Sequence, residues 1–75
     1  MAETKSQKFV RLANARVTRA LNDIRLIGNL SNRSHYEYSE ADIKKIVRAL
    51  DEEIKVMKAR FESAPDMRTN EFSLK

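Results

Sequence analysis

Six residues in the first half of the chain, Arg11, Asn14, Thr18, Asn22, Arg25 and Asn29, follow one another at intervals of three or four. On an α-helix such positions stack along one face. Arginine gives charge-assisted hydrogen bonds to phosphate, and asparagine and threonine bond both phosphate oxygens and base edges. The row would therefore suit a nucleic acid, and at 1.5 Å per residue it is about 27 Å long. Uncharged polar residues are weaker helix formers than Ala, Glu or Lys, so their repeated use on an exposed face asks for a reason. The competing reading is an ordinary solvated face whose Arg stems lie over an apolar seam. Lys8 and Arg19 widen the basic surface on a neighbouring sector with Arg16, Leu12 and Leu26. Those two leucines are expected to make bundle contacts.

Other chemistries are hard to build from this composition. The chain has one His, one Gly and no Cys, so no nucleophile, base and oxyanion donors converge and no catalytic residue is assigned. A single glycine cannot form a phosphate loop or a dinucleotide fingerprint. His35 lies in a polar stretch without further donors at ligand spacing, which argues against a metal. Asp51, Glu52 and Glu53 are adjacent in sequence, yet neighbours on a helix point in different directions. The expectation is a non-enzyme with no cofactor and no small-molecule substrate.

Charge separates the segments more sharply than its total suggests. The formal net charge is +4. Residues 5–30 carry Lys5, Lys8, Arg11, Arg16, Arg19 and Arg25 against Asp23 alone, whereas every later segment balances. Such asymmetry points to an anionic partner. No cysteine favours a reducing compartment. The first residues lack the apolar core of a secretory signal, and no apolar run is long enough to span a membrane. A cytoplasmic protein is expected, without membrane attachment. The sequons at Asn29 and Asn32 then read as chance matches.

The elements that would position the polar row follow from a second periodicity. Val10, Ala13, Val17, Ala20, Ile24 and Ile27 recur at heptad spacing, with Leu21 widening the stripe, which predicts an amphipathic helix over 5–30. Residues 1–4 read as a frayed terminus in which Thr4 or Ser6 could cap that helix. Gly28 and Asn29 are its first stop signals, since both tolerate the left-handed conformation. Residues 31–38 read as a loop rich in turn formers. A second helix is expected over 39–62, with Ser39 at its N-cap, Asp42 completing a capping box, and Tyr38 placed to staple onto Ile43. Its stripe is Ile43, Val47, Leu50, Ile54, Met57 and Phe61, flanked by Ile46. Asp51 with Lys55 and Arg48 with Glu52 are spaced for ion pairs on the outer face. Pro65 stops the helix, and residues 63–75 read as a flexible tail, with a short docking segment as the alternative.

Small residues alternate with large ones on the first stripe, while the second stripe is uniformly large, so the two can interdigitate. The expected fold is all-α: a two-helix antiparallel hairpin. So small a chain, without disulfides or metal, rarely stabilises itself alone, so a homodimer forming a four-helix bundle is expected. Arg33, His35, Tyr36 and Tyr38 make the loop basic and aromatic. Such a loop suits stacking on unpaired bases, although the expectation here is that the tyrosines cover the open end of the bundle.

This pattern resembles the Rop family of plasmid-encoded RNA-binding proteins. The likeness lies in the two-helix plan, the alternation of small and large seam residues, and a local echo at Asp51-Glu52 and Ala59-Arg60-Phe61. The resemblance implies an antiparallel four-helix bundle that holds paired RNA loops on the exposed face of its first helices. Arg11, Asn14, Thr18, Asn22 and Arg25 would then be the contacts. The chain departs from the family in having no aromatic on that face, a longer loop and a tail. A protein-interaction module acting through the Leu12/Leu26 sector or the tail is the alternative function. Surface binding to an anionic membrane is disfavoured, because the apolar stripe is already matched to a second helix.

Overall fold

A computed structural model describes residues 2–64. Among them the secondary structure is all-α: helix α1, Lys5–Gly28, a short 3-10 turn, Asn29–Ser31, and helix α2, Glu40–Ser63. The chain divides into two units between Glu37 and Tyr38.

In the first unit α1 starts where the sequence offers a side-chain acceptor. Thr4 is extended (φ −73°, ψ 164°) and caps the helix. Its hydroxyl accepts from the Gln7 backbone N–H at 3.0 Å, and Gln7 Oε1 accepts from the Thr4 N–H at 2.9 Å. Two N–H groups that a helix start leaves unpaired are thereby satisfied. Of the two candidate caps, Thr4 takes the role, and Ser6 lies inside the helix.

The end of α1 differs from the expected left-handed stop. Gly28 (φ −60°, ψ −30°) and Asn29 (φ −65°, ψ −17°) are both right-handed. The Asn29 N–H is shared among carbonyls that include those of Arg25 and Leu26. Sharing between the i−4 and i−3 carbonyls tightens an α-helix into a 3-10 turn. The helical path therefore continues to Ser31, and the break comes at Asn32, which is extended (φ −70°, ψ 102°). Asn32 then organises the next turn: its carbonyl accepts from His35 N–H at 3.1 Å and Tyr36 N–H at 3.0 Å.

In the second unit Ser39 (φ −106°, ψ 165°) caps α2. Its hydroxyl accepts from the Asp42 N–H at 3.1 Å, and the Asp42 carboxylate accepts from the Ser39 N–H at 2.9 Å. Glu40 and Asp42 also place negative charge at the positive end of the helix dipole. At the other end Ala64 is extended (φ −63°, ψ 139°), the conformation that a following proline imposes. Residues 65–75, most of the expected tail, lie outside the described residues.

No described residue is fully buried. On α1 Val17 is 55% exposed and Ile24 42%; on α2 Ile54 is 52% exposed and Phe61 62%. Leu12, Ala13, Tyr38 and Leu50 are half-buried. Each helix thus presents a complete apolar stripe, because the residues that recur at three and four lie along one line of its surface and shield one another only in part. Among the described residues no helix is long and apolar enough to cross a membrane.

Candidate nucleic-acid interface

Helix α1 carries Lys8, Arg11, Asn14, Thr18, Arg19, Asn22 and Arg25, and the 3-10 turn carries Asn29. All eight are exposed, Asn29 at the helix end. An α-helix holds the first five members of the row in register by its own hydrogen-bond ladder. Asn29 stays in helical conformation (φ −65°, ψ −17°), so the row is not broken at its end.

Arg11 differs from the others in having a partner. Its Nε donates to Glu3 Oε2 at 2.9 Å and its Nη2 to Glu3 Oε1 at 3.0 Å, a bidentate pair. Glu3 lies just before the Thr4 cap, so the capping box fixes the backbone from which the carboxylate reaches Arg11. The carboxylate holds the Arg11 guanidinium further above its ordinary range, with a small opposing contribution from desolvation. The two side chains are 59% and 36% exposed, so water and salt screen the pair and its contribution to stability is small. Its effect is electrostatic: the first cation of the row is partly neutralised. Residues 2–4, expected to fray, thus include a cap and an ion-pair partner. A contact between positions eight apart across a helix start has no periodic signature, which is why the sequence did not reveal it.

The side chains of Asn14, Thr18, Asn22 and Arg25 make no hydrogen bond or ion pair among the described residues. Four donor-bearing groups in a line are thereby left to solvent. A phosphate backbone offers such a line acceptors only, which amides, hydroxyls and guanidinium all satisfy.

The seam residues are placed on α1 (Val10, Ala13, Val17, Ala20, Ile24, Ile27) and on α2 (Ile43, Val47, Leu50, Ile54, Met57, Phe61). Leu26, on the basic sector, is 54% exposed, while Leu12 is half-buried. On α2 neither Asp51 with Lys55 nor Arg48 with Glu52 closes into an ion pair. These four residues, with Ile43, Lys44 and Val47, line an open furrow on that helix. Among the described residues no group of His, Cys, Asp and Glu is arranged to hold a metal ion.

Comparison of the chain with protein-family models, with curated proteins and with solved structures finds no match.

Proposed function

We propose that the chain is a non-enzymatic regulator that binds nucleic acid, either structured RNA or duplex DNA, through α1 of a homodimer. In this reading α1 and α2 fold back as an antiparallel hairpin, and two hairpins cover one another's stripes in a four-helix bundle. The polar row then faces outward on both copies. The observation that carries the proposal is that the row from Asn14 to Arg25 is exposed and unengaged on the one helix that holds the chain's excess positive charge.

The test is binding of a hairpin RNA and a DNA duplex, measured by fluorescence anisotropy between about 50 and 200 mM salt. Each phosphate neutralised contributes a slope of about −0.9 in log affinity against log salt on a duplex, so four contacts lower affinity on the order of a hundredfold over that range. A flat response, or no binding at the lowest salt, discards the reading.

The exposure of Leu26, 54% on α1, favours one second reading, a protein-interaction module such as a small inhibitor or adaptor. Charge reversal at Arg11 and Arg25 separates the two: it abolishes nucleic-acid binding in the first and leaves partner capture intact in the second.

A further inference from the structure

The turn that follows α1 presents an aromatic pair on a hydrogen-bonded backbone. Asn32 accepts four hydrogen bonds: its side-chain Oδ1 from Ser34 N–H at 3.0 Å and from Ser34 Oγ–H at 2.6 Å, and its carbonyl from the N–H groups of His35 and Tyr36. These four bonds close residues 32–36 into a turn. His35 and Tyr36 project from it with ring centroids 6.3 Å apart and planes at 62°. In an edge-to-face pair the ring that offers its edge keeps both of its own faces clear of the other. Tyr36 is 50% exposed, whereas Tyr38, two residues on and next to the α2 cap, is half-buried. Tyr38 is the more covered of the two, and Tyr36 offers half of its surface to solvent.

We infer that the His35–Tyr36 pair is a stacking platform for an unpaired base, a second contact surface beside the α1 row, so that the nucleic acid bound includes a single-stranded segment. An aromatic face takes any base, because each has a π-surface, and a hydrogen-bonded turn lowers the ordering that stacking requires. The loop itself carries no excess charge, since Arg33 offsets Glu37. The attraction that brings a strand to it comes from α1, which belongs to the same unit of the chain. The inference rests on the nucleic-acid reading for that attraction and is separable from it.

The chain has two tyrosines and no tryptophan, so its own fluorescence reports the contact. The probes are a mixed-sequence single-stranded RNA of about twelve nucleotides and a blunt RNA duplex of the same length, titrated at low salt with helix content checked by circular dichroism. The single strand is expected to quench tyrosine emission. Tyr36→Leu should lose most of the quenching and weaken single-strand affinity roughly tenfold, which is the scale of one base–aromatic stack. Duplex affinity of that variant should stay within about twofold, since the α1 row and its counterion release are untouched. Tyr36→Phe should keep single-strand affinity, because it retains the ring, and Tyr38→Phe should keep the quenching. Undiminished single-strand affinity in Tyr36→Leu overturns the inference and leaves the α1 row standing. So does duplex binding without single-strand binding. Failure of both probes to bind overturns both readings together.

Discussion

Helices α1 and α2 have the same length, 24 residues, the same kind of N-terminal capping box and a similar apolar stripe, yet their other faces differ in kind. Helix α2 balances its charges and starts with Glu40 and Asp42, the conventional arrangement for a solvated helix. Helix α1 has no acidic residue in its first turn, and its single Asp23 faces six cations between residues 5 and 30. Its outer row uses amides and a hydroxyl where α2 uses Glu, Asp, Lys and Arg. Helix formation alone does not ask for that substitution, since charged residues at i and i+4 would support α1 better. On the proposed reading the stripes serve the packing of the two helices, and the polar face of α1 serves a partner outside the chain.

That contrast collapses first if the stripes are not needed. A charge placed in either one, as in Val17→Asp on α1 or Ile54→Asp on α2, would sit unpaired in an apolar seam, at a cost of about 3 kcal/mol or more. Both variants should therefore sediment as single chains at micromolar concentration and lose most of their helical circular dichroism, while the unaltered chain sediments as a dimer. A stably helical single chain in the unaltered protein would remove the need for the bundle.

The next test sets the outer faces against each other. Arg25→Gln on α1 should weaken duplex binding several-fold and make the salt slope shallower by about one, as one phosphate is no longer neutralised. Arg48→Gln on α2 removes the same charge and should change affinity by less than about twofold, because it alters only the uniform field of the protein. Equal losses from the two would mean that net charge, and not the row, governs binding.

Much of this contrast was legible from the residues. The capping box of α2 could be read, because Ser39 and Asp42 satisfy each other locally and no tertiary contact is required. Both stripes were legible for the same reason: periodicity is a property of one helix. The end of α1 was less so, since Gly28 permits a left-handed stop without requiring one, and the backbone instead tightened through Asn29 and broke at Asn32. Tyr36 is exposed and Tyr38 half-buried, a difference that composition could not give for two tyrosines that lie two residues apart. The Glu3–Arg11 pair was not legible, because it depends on where the capping box points the preceding residue.

A smaller effect follows from the caps. Gln7 and Asp42 occupy equivalent positions in the two boxes, one neutral and one acidic. Giving α1 the charge that α2 has, by Gln7→Glu, should stabilise the folded protein by about 0.5 kcal/mol per chain at low salt through the helix dipole. Asp42→Asn should destabilise it by a similar amount, and thermal melts at low and high salt would show both changes shrinking as salt screens them. A salt-independent difference would assign the asymmetry to hydrogen-bond geometry instead.

The subtlest change concerns the cation that α1 does not leave free. With Glu3 holding the Nε–Nη2 edge of Arg11, a phosphate meets a first guanidinium whose bidentate edge is taken and whose charge is partly offset. Glu3→Gln keeps the length of the side chain and removes the charge. It should leave helix content unchanged, because the pair is largely exposed, and raise duplex affinity at low salt by about two- to fivefold, as one more phosphate can be neutralised. In an Arg11→Gln background the gain should vanish, since no cation remains to be released. A gain that persists there would come from removal of the negative charge alone. The Glu3 pairing would then not restrain Arg11, and the contrast between the helices would rest on the row from Asn14 onward.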